Sequence, residues 1–192
     1  MDVFGRAGYA GTRLADVARA AGVSKATLYL YFASKEALFR AMIRTQAQSV
    51  AAPDDLVAGF FPDTPEKKLR RFLRSTWRAL QQPELRAILR LIHAEQARFP
   101  ELGQFYREEI ILPIRAGLLR VLDAGCSAGV FRPTLSAAAL HGVPALLLHQ
   151  TLLWEGLAES DPARLSEAEL VEGTLDLLLD GLRRRGSRGD AE

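Results

Sequence analysis

Residues 12–35 read Thr12-Arg13-Leu14-Ala15-Asp16-Val17-Ala18-Arg19-Ala20-Ala21-Gly22-Val23-Ser24-Lys25-Ala26-Thr27-Leu28-Tyr29-Leu30-Tyr31-Phe32-Ala33-Ser34-Lys35. Leu14, Val17 and Ala18 follow the i, i+3, i+4 rule for one buried helical face. Asp16 and Arg19 fall between them and are expected to face solvent. Ala20, Ala21 and Gly22 are small enough for two helices to cross closely, and Gly22 suits the left-handed residue that ends a helix. Val23 is placed to fill the gap between the helices, and Ser24 is a good N-cap for the second. That second helix packs through Leu28 and Phe32 and leaves Lys25, Ala26, Thr27 and Tyr29 on its exposed side. Ser34 caps a third helix with Lys35 in its first turn, where a cation and unpaired N–H groups favour a phosphate.

A helix, a tight turn and a short second helix make a helix-turn-helix, whose second helix reads base edges through its N-terminal residues. The candidate DNA-contacting set is Thr12, Arg13, Ser24, Lys25, Ala26, Thr27, Tyr29, Tyr31 and Lys35. Tyr29, Tyr31 and Lys35 are expected on phosphates and Lys25 and Thr27 nearest the bases, with Ala26 permitting close approach. Charge agrees with this placement. Residues 1–50 carry seven basic against three acidic side chains, a net +4, while the remaining 142 carry −2.

The stretch Phe4 to Phe39 resembles the DNA-binding domain of the TetR family of transcriptional regulators. The resemblance rests on Gly8-Tyr9, Thr12, Val17-Ala18, Ala21-Gly22-Val23-Ser24, Thr27-Leu28-Tyr29, Tyr31-Phe32, Ser34-Lys35-Glu36 and Leu38. It implies a homodimeric, all-helical regulator whose C-terminal domain binds a small effector. Members of that family have a full helix before the Phe-x-x-x-Gly-Tyr stretch. Here only its last turn or two precede Gly8-Tyr9, and the expectation is a start codon assigned too late.

Length and composition are compatible with this reading. A chain of 192 residues allows one large or two small domains. Cys126 is the lone cysteine, so no intrachain disulfide forms, which fits a reducing cytoplasm. No apolar run is long enough to span a bilayer, and no export signal is visible at the N-terminus. Strand signals are nearly absent and helical spacing dominates, so the expected fold class is all-α.

The spacing predicts a fourth helix from Ser34 to about Ala51, then Pro65 to about Gln82, capped by Thr64, and Pro83 to near Pro100. A long helix from Glu101 to about Ala124 is expected to kink at Pro113. Another runs from Ser136 to about Ala158 with a bend near Gly142-Val143-Pro144, and Ser166 caps a last one through Leu182. The organisation read from this is a helix-turn-helix domain at 1–47, an effector-binding and dimerisation domain at 48–185, and a disordered tail at 186–192. Arg183, Arg184 and Arg185 read as solvated charges that suit a helix C-terminus.

The last two helices are apolar nearly all round. Such helices are buried on more than one side, either centrally in a monomer or with one stripe in a two-fold interface. The resemblance implies the interface, for which Leu146, Leu153, Leu175, Leu178 and Leu182 are the candidates. Trp77, His93, Phe105, Tyr106, Arg115, His149, Gln150 and Trp154 are the candidates for an effector pocket. Aromatics at helical spacing also suit a plain core. The expected effector is a small apolar or aromatic compound, with strongly charged metabolites disfavoured by desolvation.

His93, His141 and His149 lack the i, i+4 spacing of a helical metal site, so no metal or other cofactor is expected. There is no Ser-His-Asp set, phosphate loop or carboxylate-pair signature, and no enzymatic activity is expected. The best-supported reading is a ligand-responsive repressor that binds a palindromic operator as a homodimer. Its rivals are an activator of the same family and a dimeric small-molecule binder or enzyme whose head no longer binds DNA.

Overall fold

A computed structural model describes residues 2–48, 63–132, 137–153, 161 and 166–182. It has ten α-helices and no strand among the described residues: α1 (Asp2–Gly11), α2 (Leu14–Ala20), α3 (Lys25–Tyr31), α4 (Lys35–Ala47), α5 (Pro65–Leu80), α6 (Pro83–Glu95), α7 (Pro100–Tyr106), α8 (Leu112–Ser127), α9 (Ala137–Leu153) and α10 (Glu167–Leu182). The fold is all-α, as the spacing predicts.

Local chemistry sets most of the helix ends. Gly22, at φ 68°, closes α2, with the Gly22 N–H donating to the Arg19 carbonyl and the Val23 N–H to that of Ala18. Val23 remains 40% exposed, so it covers the crossing only in part. Ser24 Oγ accepts from Thr27 N at 2.9 Å and Ser34 Oγ from Ala37 N at 3.2 Å, the two expected N-caps. At α10, Ser166 Oγ accepts from the Glu169 N–H and Glu169 Oε2 from the Ser166 N–H, a reciprocal capping box.

Other ends depart from expectation. Helix α6 stops at Glu95 rather than near Pro100, while the expected end of α4 near Ala51 lies outside the described residues. The expected long helix from 101 is divided into α7, a π-helical turn at Arg107–Ile111 and α8. Pro113 has no N–H for the carbonyl four residues back, and its ring would crowd that carbonyl. The chain widens just before it, with the Leu112 N–H reaching the Arg107 carbonyl five residues back. Helix α9 runs through Pro144 as one element. The expectations for Ser136, for the end near Ala158 and for the tail lie outside the described residues.

The chain divides into two compact units, one of Met1–Ala51 with Ala79–Pro113, the other of Ala52–Arg78 with Ile114–Glu192. The first therefore joins the helix-turn-helix to α6 and α7. Its core is aromatic at the centre. Phe4, Tyr9 and Phe39 are at most 1% exposed, with ring centroids 5.2 Å apart for Phe4–Phe39 and 5.3 Å for Tyr9–Phe39. Phe99 meets Tyr9 edge-on at 5.1 Å. Leu85, Ile88, Leu89 and Ile92 bury one full stripe of α6. Each such large apolar side chain contributes about 1.5–3 kcal/mol on burial.

The second unit buries Leu69, Phe72, Leu73, Thr76 and Trp77 of α5 with Ile114, Leu118, Val121 and Leu122 of α8. Helices α9 and α10 add Val143, Leu147, Leu148, Val171, Leu175 and Leu179 to the buried set. No helix among the described residues is long and apolar enough to cross a membrane.

Candidate nucleic-acid interface

Helix α3 has one anchored side. Leu28 is 8% exposed, and every other residue of the helix is exposed. At 100° per residue, positions two before and two after Leu28 project almost opposite to it. Those positions are Ala26 and Leu30, and Leu30 is 85% exposed. Lys25, Thr27, Tyr29 and Tyr31 flank this ridge, with the Lys25 ammonium 5.6 Å from the Tyr29 ring centroid. Thr27 Oγ1 lies 2.7 Å from Ser24 Oγ, which fixes both hydroxyls at the helix start. Arg13 is exposed just before α2, its carbonyl accepting from the N–H groups of Asp16 and Val17. Leu30 was absent from the sequence-based set. Its signal was available, because it lies two residues from the inward Leu28 and four from Ala26.

Two members of the set are held by the fold itself. Thr12 is 3% exposed and its hydroxyl donates to the Gly8 carbonyl at 2.7 Å, so it lies beneath the surface rather than on it. Lys35 Nζ donates to the Tyr9 carbonyl at 2.7 Å and the Ala10 carbonyl at 3.4 Å, and stands 4.5 Å from the Tyr9 ring centroid. These bonds use two of its three N–H donors.

The positive charge of the head is also partly neutralised. Arg40 reaches Glu108 at 2.6 Å and Glu109 at 2.8 Å, and Arg44 reaches Glu109 at 3.0 Å. The hydrogen bond from Arg44, reinforced by that from Arg40, holds the Glu109 carboxyl below the usual glutamate range. Arg19 pairs with Asp16 at 3.3 Å. Lys25, Arg13 and Arg6 make no ion pair among the described residues, so the positive charge open to an outside anion gathers around α1–α3.

Glu95, unremarked in the sequence, ties the head to α6. Its Oε1 accepts from Tyr9 N at 2.5 Å and its Oε2 from Ala10 N at 3.3 Å. The two N–H groups are exposed to it because Gly8 breaks α1 at φ 68°, ψ 175°. No spacing rule connects residues 86 positions apart.

The effector candidates are divided between the two units. In the first, His93 is exposed, its Nδ1 is 2.9 Å from the Leu89 carbonyl, and its ring meets Tyr106 edge-on at 5.3 Å. Phe105 is buried beneath the Arg40 guanidinium, and burial pushes the Tyr106 phenol up to about 12. In the second, Trp77 is buried, Arg115 and Gln150 are half-buried and His149 is exposed. Trp154 lies outside the described residues. Arg115 Nε and the buried Thr76 hydroxyl have no hydrogen-bond partner among the described residues. Three grooves among the described residues are lined by other side chains. One of about 310 Å³ is lined by Phe32, Leu38, Met42, Gln46 and Ile88. A second, of about 370 Å³, is lined by Val3, Arg6, Asp16 and Arg19. A third lies on α5.

Of the interface candidates, Leu175 is 0% exposed within its own unit, while Leu146 and Leu178 are half-buried. Leu153 and Leu182 fall outside the described side chains. Among the described side chains of α10, Leu177 is strongly exposed, at 75%. No group of three His, Cys, Asp or Glu side chains that could hold a metal occurs among the described residues.

Comparison with known proteins agrees with this geometry. Residues 1–42 match the model for bacterial regulatory proteins of the tetR family. Residues 62–168, more than half the chain, match the tetracyclin repressor-like C-terminal domain. The HTH-type transcriptional regulator RutR of Escherichia coli (strain K12) is 52% identical over 44 residues, 23% of this chain and 21% of RutR. The match thus spans about a fifth of that curated relative. Among solved structures, the flavonoid-responsive regulator FrrA is 27% identical with a TM-score of 0.69, over 96% of this chain and 93% of FrrA. PfmR, a TetR family transcriptional regulator from Thermus thermophilus, is 26% identical with a TM-score of 0.62, over 95% of this chain and 96% of PfmR. The regulator FadR from Bacillus subtilis, solved with stearoyl-CoA, shares the fold at 17% identity and a TM-score of 0.71, over 94% of each chain.

Proposed function

The chain belongs to the TetR family of bacterial transcriptional regulators, which are not enzymes, and on that premise we propose that it is a cytoplasmic, ligand-responsive repressor binding a palindromic operator as a homodimer. The observation that carries the reading is α3. It holds one residue inward and presents a ridge of Ala26 and Leu30 between Lys25, Thr27, Tyr29 and Tyr31. Lys25 and Thr27 read bases, and Leu30 packs on a thymine methyl group. Tyr29, Tyr31, Arg13, Ser24 and the remaining donor of Lys35 hold phosphates.

Dimerisation is assigned to the outward side of α10, where Leu177 stands between Gly173 and Gly181 with open space at both glycines. Leu178 and Leu146 border it as half-buried residues. The effector is assigned to the second unit, where the unpartnered Thr76 hydroxyl and Arg115 Nε serve as polar anchors. An apolar or aromatic compound is the class favoured, and the flavonoid response named for FrrA supports it. Residues 79–113 form one compact unit with the head, so a change delivered to α6 or α7 moves the head with it. Release of DNA then requires only that the effector bind one head arrangement better than the other.

The test is capture of genomic fragments by the purified full chain, followed by footprinting. The expected site is two inverted half-sites about one helical turn, or a multiple of it, apart. Saturable binding without sequence preference, or protection of a single half-site, would overturn the reading.

A further inference from the structure

One peptide group of the head is held by a charge on each side. The N–H of Ala10 and the carbonyl of Tyr9 belong to the same trans peptide, where they point in opposite directions. The N–H donates to Glu95 Oε2 at 3.3 Å, and the carbonyl accepts from Lys35 Nζ at 2.7 Å. The other carboxylate oxygen, Oε1, takes the Tyr9 N–H at 2.5 Å, and the ammonium also reaches the Ala10 carbonyl at 3.4 Å. A charged acceptor on the N–H and a charged donor on the C=O polarise a peptide in the same sense, so each bond strengthens the other.

Both ends of this relay are anchored. Glu95 is the last residue of α6, and its own carbonyl accepts from the N–H groups of Arg98 and Phe99, in the turn that brings Phe99 against the Tyr9 ring. Lys35 is the first residue of α4 and stands 4.5 Å from the centroid of the same ring. Satisfying the two N–H groups is one role for the half-buried Glu95. Its charge does not suit the location, because a carboxylate in the basic head opposes a polyanion. A second role follows from where the Tyr9 and Ala10 carbonyls point.

We propose that Glu95 is a positioning residue for DNA binding: through the Tyr9–Ala10 peptide it fixes the Lys35 ammonium so that its remaining N–H donor faces a DNA phosphate. The proposal rests on the assignment of Lys35 to a phosphate. A lysine on its flexible four-carbon stem loses rotamer freedom when it is ordered. Two carbonyls held in place by Glu95 order it before DNA arrives, which is preorganisation. Glu95 itself touches no DNA. It ends α6, so a shift of α6 also shifts the cation.

The test is fluorescence anisotropy of a labelled mixed-sequence DNA duplex with the full chain across a salt series. Phosphate contacts form on any sequence, so that probe suffices. Lys35→Gln should weaken binding about tenfold and make the line of log K against log salt shallower by about 2 for the two heads of a dimer. Glu95→Gln should act in the same direction, about fivefold weaker and shallower by about 1 or more. Charge alone predicts the reverse, because this variant removes a negative group from the head. In a chain already carrying Lys35→Gln, Glu95→Gln should change binding by less than about twofold. Glu95→Asp keeps the charge but is one carbon too short to reach both N–H groups, and should also bind more weakly with a shallower slope. Circular dichroism melts confirm that each variant is folded.

Unchanged or tighter binding by Glu95→Gln would overturn the proposal, as would equal losses with and without Lys35. Loss of the fold in both Glu95 variants would assign the residue to the core alone and overturn it too. An unchanged slope for Lys35→Gln would instead remove Lys35 from the phosphate set, and the proposal with it. A shallower slope for Lys35→Gln alone would leave that assignment standing and overturn only the role of Glu95.

Discussion

Gly8 is held to glycine by its backbone and by the carboxylate beside it. Its φ of 68° lies in the left-handed region, and a Cβ there would stand 2.7 Å from Glu95 Oε1. An added methyl must displace the carboxylate that accepts from the N–H groups of Tyr9 and Ala10. Gly8→Ala should therefore cost about 1–3 kcal/mol in urea denaturation. A wild-type midpoint would show that the Glu95 contact does not hold α1. Leu30 is a separate case, because it is 85% exposed. Leu30→Ala should weaken operator binding by about 1 kcal/mol per half-site and relax preference at one thymine, leaving the salt dependence unchanged. Competition binding against singly substituted operators measures this. Unchanged discrimination at every position would remove Leu30 from the reading set.

Among the elements, the π-helical turn before Pro113 has the clearest consequence. It carries Glu108 and Glu109, which meet Arg40 and Arg44 of α4. The Glu109 carboxyl is held below its ordinary range, first by the hydrogen bond from Arg44. A carboxylate with a lowered folded-state pKa contributes stability in full above the unfolded value, about 4.3. That contribution is lost as pH falls through the lowered folded value. Glu109→Gln should thus be less stable than wild type near neutrality, and the gap should close below about pH 4. Guanidinium titrations across a pH series check this. A gap that stays constant down to about pH 3 would assign the loss to packing. The same contacts explain why the head's net charge overstates its attraction for DNA: Arg40 and Arg44 already have partners.

At the scale of the whole molecule, the interface prediction turns on two leucines of α10. Leu175 is buried within its own unit and Leu177 is 75% exposed. Leu177→Glu should yield a folded monomer that no longer binds the operator cooperatively. Leu175→Glu should instead unfold the second unit, since an unpaired buried carboxylate costs several kcal/mol. Sedimentation velocity with far-ultraviolet circular dichroism separates the two outcomes. A wild-type chain that sediments as a monomer at micromolar concentration would defeat the dimer assignment.

The sequence by itself determined the features that close within a few residues. The Gly22 turn, the Ser24 and Ser34 caps and the Ser166–Glu169 box each join groups at most five positions apart, so residue identity decides them. The exposed side of α3 was legible for the same reason, because one inward Leu28 orients the whole helix. Tertiary structure alone decided what depends on distant approach. Glu95 reaches Tyr9 across 86 positions and Arg40 reaches Glu109 across 69. Lys35, which suits a DNA surface by type, is bonded to the Tyr9 carbonyl, which folding brings to it from 26 positions away. Leu146 and Leu147 of α9 cannot be told apart by periodicity, because a helix apolar on every side carries no phase that marks its inward face. Which stripe is buried is settled by the neighbour that packs against it, and that neighbour is not written in the helix.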